Sequence, residues 1–348
     1  MNSRNIFSEL ILSWSKENPR NLPWVGIKDV YKIWISEIML QQTQAATVVP
    51  YYKKFIKKYP TIRHLASADE TELMKMWEGL GYYSRARNLL HSAKQIVSEY
   101  NSKFPQSSTE LLKLKGIGTY TASAIASFAF SEDIAAVDGN VIRILSRAFG
   151  LTLDSNSQSG KKDFQLFANN LLPKAQAAEF NQAMMDLGSA ICKAKNPDCL
   201  HCPISGLCYA KKHERIQDFP VKQLKKSLKE RYFHYLIIQN SKSEYWIHMR
   251  QEKDIWRGLH EFYLIEKNSK ISLENLHSHI KAELKIKQKP TLEFKFSQKL
   301  THQHIFAYFY AIKGQDIPLK DEFFLVKKDR LKKFAFPKSM LMYINSLS

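Results

Sequence analysis

The sequence predicts a mainly α-helical protein over its first two-thirds and a separate α+β domain over its last third. Three observations carry this. Apolar residues recur at helical spacing to about residue 190. After Tyr232 the period changes to two, in Tyr235–Ile238, Tyr245–Met249 and Ile305–Ile312. Between the two regimes lie all four cysteines, Cys192, Cys199, Cys202 and Cys208. The 348 residues suffice for two domains. A net charge of +19 points to a polyanionic partner, and nucleic acid fits better than membrane. No apolar run approaches the roughly 18 residues of a spanning helix, and the N-terminus carries no signal-peptide core. A cytoplasmic protein is therefore expected.

Residues 6–16 read as an amphipathic helix with Ile6, Leu10, Ile11 and Trp14 on one face. Asn18–Trp24 is a loop interrupted by two prolines. A helical pattern then runs from Val30 to Tyr52. Glu37 is the only acid in its segment, among apolar neighbours. A carboxyl desolvated in this way has a raised pKa and can serve as a general acid near neutral pH. A glutamate on the wet side of a helix would read the same. Gln41, Gln42 and Thr43 form either a polar turn or a set of hydrogen-bonders facing bases. Helices continue through residues 61–100, interrupted at Gly79–Arg87, where two glycines, Tyr82, Tyr83, Arg85 and Arg87 suit a loop that wedges into a duplex, or else core aromatics with surface charge.

Leu111–Arg143 reads as helix, glycine turn, helix, short loop and a new helix beginning near Asp138. Gly116 and Gly118 permit positive φ. The N–H groups of Gly116, Gly118 and Thr119 would lie free at a helix N-terminus, an anion site suited to a DNA phosphate. An ordinary helix–helix turn remains the alternative. Two further helices span 161–190, and a basic stretch around Phe219–Lys229 reads as a linker. Residues 272–285 read as a helix within the strand-rich part. The cysteine spacing C-x6-C-x2-C-x5-C indicates a metal site, zinc or iron–sulfur on spacing alone.

The chain resembles the adenine DNA glycosylases of the MutY type, within the helix-hairpin-helix, iron–sulfur superfamily that includes endonuclease III. The resemblance rests on Ser36–Thr43, Trp77–Arg85, Leu114–Thr121, Val137–Val141 and the cysteine spacing, in this order. It implies a two-module helix-hairpin-helix glycosylase domain over 1–212. A six-helix module covers about 23–131, and an iron–sulfur module combines 1–22 with 132–212. A linker follows at 213–230, then a Nudix-like lesion-recognition domain at 231–348, with Trp256–Phe262 as its remnant motif. Residues 272–285 offer only Glu274 and Glu283, too few for Nudix metal chemistry. The resemblance also decides for a 4Fe-4S cluster on the four cysteines.

By the same resemblance, Glu37 protonates the adenine ring and Asp138 stabilises the oxocarbenium-like sugar, while also fitting as a helix N-cap. Asn140 hydrogen-bonds within this centre. Arg20, Leu22, Trp24, Leu40, Gln182 and Met185 line the adenine pocket. Tyr82 and Gln42 insert into the base stack, and Gln41, Thr43, Leu80, Arg85, Gly116, Gly118 and Thr119 contact DNA. Thr301 and His302 read the opposite base, although Leu300 stands where the family has Phe. Tyr120 occupies the position of the Schiff-base lysine of bifunctional relatives, which implies an enzyme that leaves the strand intact. The expected partner is duplex DNA carrying adenine opposite 8-oxoguanine or guanine, bound by a monomer. Two alternatives are a pyrimidine-specific enzyme of the endonuclease III type and a non-enzymatic DNA-binding protein. The first typically carries Val-Asp-Thr-His where this chain has Val137–Asn140, and the second leaves Glu37 and Asp138 unexplained.

Overall fold

A computed structural model describes residues 3–221, 227–317 and 319–347. Residues 222–226, the middle of the expected linker, lie outside them. The helices are α1 (Ser3–Glu17), α2 (Val30–Leu40), α3 (Ala45–Lys58), α4 (Ile62–Ala66), α5 (Glu70–Met76), α6 (Ser84–Glu99), α7 (Ser108–Leu111), α8 (Thr119–Phe130), α9 (Gly139–Phe149), α10 (Gln158–Asn169), α11 (Ala177–Ala190), α12 (Tyr209–Lys212), α13 (Leu273–Leu284) and α14 (Lys338–Ser346). The strands are β1 (Lys229–Ile238), β2 (Glu244–Met249), β3 (His260–Glu261), β4 (Tyr263–Lys267), β5 (Thr291–Lys299), β6 (Gln303–Ile312) and β7 (Phe323–Lys327). By compactness the chain divides into Met1–Ser67 with Asn88–Leu224, and Ala68–Arg87 with Lys225–Ser348.

In the first unit, α2 is buried along most of its length and packs on α8. The small residues Ala122, Ser123, Ala124, Ala126 and Ser127 of α8 allow that close approach. Asp29 caps α2 by accepting from the N–H groups of Tyr31 and Lys32. The helical pattern expected from Val30 to Tyr52 is broken at Gln41–Gln44. Gln42 turns into the left-handed region at φ +56°, and Thr43 N–H returns to the Leu40 carbonyl. A second core joins Phe7 and Ile11 of α1 to Val141, Ile144, Phe164, Phe180 and Leu187. Of the two hairpin glycines only Gly116 uses positive φ, at +84°. Gly118 lies at φ −95° as the N-cap of α8, so the expectation of positive φ holds for one of them.

The expected linker begins too early. Ile216–Asp218 is a 3₁₀ turn, and Phe219 is 3% exposed. The Arg147 guanidinium binds the carbonyls of Ile216 and Phe219. At its other end β1 starts at Lys229.

The second unit holds two sheets. One runs β4-β1-β6-β5, with β1 and β6 parallel and the other pairs antiparallel. The other runs β3-β2-β7. Alternation along β1 and β6 sends Phe233, Tyr235, Ile305 and Phe309 into a core with α14. Leu236, Ile238, Tyr310 and Ile312 point the other way, onto Leu276 and Ile280 of α13. Ala68–Arg87 belongs to this unit. The loop expected at Gly79–Arg87 is shorter than read, because Ser84–Arg87 form the first turn of α6.

Candidate functional site

Glu37 sits on α2 and is 4% exposed. Burial pushes its pKa from 4.5 up to about 7, against the downward pull of the Tyr120 hydroxyl and with a smaller push from the Asp138 charge. Tyr120, in the first turn of α8, donates its hydroxyl to Glu37 Oε2 at 3.0 Å and lies 3.5 Å from the Met185 sulfur. Among the described residues Glu37 Oε1 takes no hydrogen-bond partner. Asp138 is the N-cap of α9. Its Oδ1 accepts from the N–H groups of Asn140 and Val141, both at 2.8 Å, and its Oδ2 accepts from Asn140 Nδ2 at 2.7 Å. Burial raises the Asp138 pKa, while these three donors and the Arg143 charge pull it down.

Sequence reasoning missed the residues behind Asp138. Arg143 Nη2 donates to Asn140 Oδ1 at 2.8 Å and to the Gly188 carbonyl at 2.8 Å, and its Nε reaches the Cys192 carbonyl at 2.7 Å. Gly188 is also a spacer, since a Cβ there would stand 2.5 Å from Asn140 Cβ. Asp186 was missed as well. It is 3% exposed and accepts from Gln182 Nε2 at 3.1 Å and from Arg20 Nη1 at 3.3 Å. Arg20 also donates to Ser189 Oγ at 2.9 Å. The i,i+4 spacing of Gln182 and Asp186 was the available signal.

The expected pocket residues thus divide. Arg20, Gln182 and, through Tyr120, Met185 join polar networks. Leu22 and Leu40 are partly buried. Trp24 is 8% exposed and packs edge-on against Tyr52, with centroids 5.3 Å apart, so it is core rather than open lining.

Among the expected DNA contacts, Gln42 is exposed at the tip of its turn. Gln41 turns inward, donating to Thr121 Oγ1 at 3.1 Å and towards the Gly116 carbonyl at 3.5 Å, and so ties α2 to the hairpin. Thr43 Oγ1 donates to the Gln41 carbonyl. Gly116, Gly118 and Thr119 open α8, and among the described residues their N–H groups take no intramolecular acceptor. Leu80 and Arg85 depart from expectation, at 5% and 6% exposure. Arg85 lies over the rings of Trp77 and Tyr82 and binds the Leu80 and Gly81 carbonyls. It therefore holds the turn from within. Tyr82 is 45% exposed with φ +48°, and its hydroxyl is 3.0 Å from Thr301 Oγ1. Thr301 and His302 are exposed in the β5–β6 turn, while Leu300 packs on the adjoining core.

Cys192, Cys199, Cys202 and Cys208 line one cavity with Ile144, Arg147 and Ile204. Burial, then the other sulfurs among the causes, raises the thiol pKa of Cys199, Cys202 and Cys208. Arg147 Nη1 lies 3.5 Å from the Cys192 sulfur. Four thiols around one shared cavity, with the Arg147 guanidinium beside Cys192, fit a polynuclear cluster. In the second unit, Asp254 and Glu266 are held by Arg231, and Glu261 by Arg250. None of the described helices is long and apolar enough to cross a membrane.

Three family models match the chain: the HhH-GPD superfamily base excision DNA repair protein over residues 35–168, the iron-sulfur binding domain of endonuclease III over 192–208, and the NUDIX domain over 234–346. Adenine DNA glycosylase of Buchnera aphidicola subsp. Schizaphis graminum is 37% identical over 287 residues, covering 80% of this chain and 82% of that one. The human adenine DNA glycosylase is 40% identical over 214 residues, covering 59% of this chain and 39% of that one. Among solved structures, a thermostable thymine-DNA glycosylase matches with TM-score 0.55 and 30% identity, over 60% of this chain and 97% of that one. An endonuclease III trapped on DNA matches with TM-score 0.53 and 25% identity, over 62% and 99%.

Proposed function

The chain belongs to the adenine DNA glycosylase family, a base-excision repair enzyme of the helix-hairpin-helix superfamily that binds duplex DNA and carries a 4Fe-4S cluster, and from that premise we propose how it works. It hydrolyses the N-glycosidic bond of adenine opposite 8-oxoguanine or guanine, as a monomer, and leaves the strand intact. The observation that carries this reading is the juxtaposition of a buried glutamate of pKa about 7 with a second, hydrogen-bonded carboxylate.

The two carboxyls take different roles because their surroundings differ. Adenine leaves poorly unless its ring is protonated. Glu37, neutral below about pH 7, supplies the proton to N7. Its Oε2 is held by Tyr120, which aims Oε1 at the base. Bond cleavage leaves positive charge on the sugar. Asp138 opposes that charge; burial raises its pKa, and three N–H donors and the Arg143 charge pull back towards the ionised form. Asn140 and Arg143 fix its orientation. Arg20, Gln182 and Asp186 supply polar groups for the base edge, with Met185 against its face.

The adenine must first leave the duplex, at a cost of a few kcal/mol. Gln42 and Tyr82 fill the space it vacates, and Gly116, Gly118 and Thr119 hold a phosphate. Cys192, Cys199, Cys202 and Cys208 hold the cluster, which when bound cross-links their loop and fixes the exposed Lys193, Lys195, Lys211 and Lys212 for backbone contact. Thr301 and His302 address the opposite base. Tyr120 has no amine, so no Schiff base forms there.

Duplexes carrying adenine opposite 8-oxoguanine, guanine, thymine or cytosine test this reading. Free adenine and an alkali-labile but uncut strand are expected from the first two. Adenine release that ignores the opposite base, or borohydride trapping on one lysine, contradicts it.

A further inference from the structure

The turn that carries Tyr82 is fastened to the strand-rich part of its unit by a closed ring of polar contacts. Glu78 Oε2 accepts from Lys75 Nζ at 2.7 Å. Glu78 Oε1 accepts from the Phe336 backbone N–H at 3.0 Å. Lys75 Nζ donates in turn to the Phe334 carbonyl at 2.9 Å. One carboxylate and one ammonium thus grip both ends of Phe334–Phe336. The gripped segment is itself packed into the core, since Phe336 is 1% exposed and the Ala335 carbonyl accepts from His260 N–H at 2.8 Å. Charge-assisted bonds are the strong ones, and the pair is partly buried, Glu78 at 16% and Lys75 at 30% side-chain exposure.

The turn is also stiff within itself. Trp77 Nε1 donates to the Gly81 carbonyl at 3.1 Å, and Gly79 N–H to the Tyr83 hydroxyl at 3.2 Å. Gly79 and Gly81 take positive φ, and so does Tyr82 at +48°. That conformation is unfavourable for a bulky residue and persists only where its surroundings impose it. A second fastening lies at the far end, where the Arg87 guanidinium donates to the Arg257 carbonyl. At the tip the Tyr82 hydroxyl meets Thr301 Oγ1. A rigid turn, anchored at its base and touching the β5–β6 turn at its tip, keeps Tyr82 and Thr301 in fixed register.

We propose that Glu78, with Lys75, is a positioning residue for lesion discrimination: it clamps the wedge turn so that Tyr82 and Thr301 meet the DNA as one preset pair. The proposal deepens the reading above and rests on it, since it takes Tyr82 as the wedge and Thr301 as a reader of the opposite base. Neither Glu78 nor Lys75 touches the reacting atoms. Their loss leaves proton transfer by Glu37 alone and loosens the pair that distinguishes 8-oxoguanine from guanine.

The test uses the full-length holoenzyme. Single-turnover adenine release is measured opposite 8-oxoguanine and opposite guanine, for wild type, Glu78→Ala, Glu78→Gln, Thr301→Ala and the double variant Glu78→Ala with Thr301→Ala. Hydrogen exchange of the Gly79–Tyr83 amides is followed in the same proteins. Glu78→Ala should lower the preference for 8-oxoguanine over guanine about tenfold, with the double variant losing little more than the larger single loss. Exchange in the turn should quicken. Glu78→Gln keeps an acceptor for Phe336 N–H and should fall between. A Glu78→Ala protein that keeps its full preference, or losses that simply multiply in the double variant, overturns the proposal. If Thr301→Ala alone keeps the preference, the reading of Thr301 fails instead. The clamp then stands or falls on exchange, and unchanged protection of the turn in Glu78→Ala overturns it.

Discussion

Glu37 is held neutral by burial and restrained by one hydroxyl, and both effects can be read in pH profiles. On the proposed mechanism excision draws on its proton, so the rate should fall as pH rises through about 7. Tyr120→Phe removes the bond that lowers the Glu37 pKa, so the alkaline limb should move to higher pH; a limb that stays or moves down contradicts the assignment. Stability follows the same group. The folded pKa of about 7 exceeds the ordinary 4.5, so this contribution is fully present below pH 4.5 and is lost as pH rises through about 7. Up to ~3 kcal/mol is at stake, and Glu37→Gln, which cannot ionise, should flatten that slope in denaturant melts. Glu37 was legible in the sequence as a single acid among apolar neighbours. Arg143 and Asp186 were not, because one lies on the partly exposed side of α9 and the other meets Arg20 only across 166 residues. The i,i+4 spacing of Gln182 and Asp186 marks one pair, but no local pattern encodes the contact with Arg20.

Elements place these side chains through glycines as much as through cores. Gly188 on α11 leaves room for Asn140, the side chain that binds Asp138, since a Cβ there would stand 2.5 Å from Asn140 Cβ. Gly188→Ala should displace Asn140 and slow excision by roughly tenfold to a hundredfold, with smaller change in duplex affinity; an unaltered rate would show that the close approach is not needed. The helices α1 and α11 were legible because each buries one face at a regular period, the strands because their residues alternate between two packed faces, and α8 because its run of small residues is buried almost throughout. The break at Gln41–Gln44 was not, because Gln42 adopts positive φ without a glycine to announce it. Arg147 likewise pins Ile216 and Phe219, which makes a polar stretch that read as linker part of the first unit. Leu80 and Arg85 carried the letters of a DNA loop, yet tertiary packing turned both inward.

At the scale of the whole chain, a net charge of +19 makes duplex affinity a sum of many phosphate contacts, whereas bond cleavage, as proposed, depends on two carboxyls. That separation is the central claim. The measurement that tests it most directly is single-turnover release of adenine opposite 8-oxoguanine by Glu37→Gln and by Asp138→Asn, with duplex affinity measured alongside. Each variant should lose roughly a thousandfold or more in rate, while affinity stays within about threefold of wild type. Excision at a near wild-type rate by either variant would contradict the assignment of acid and stabiliser to these two residues.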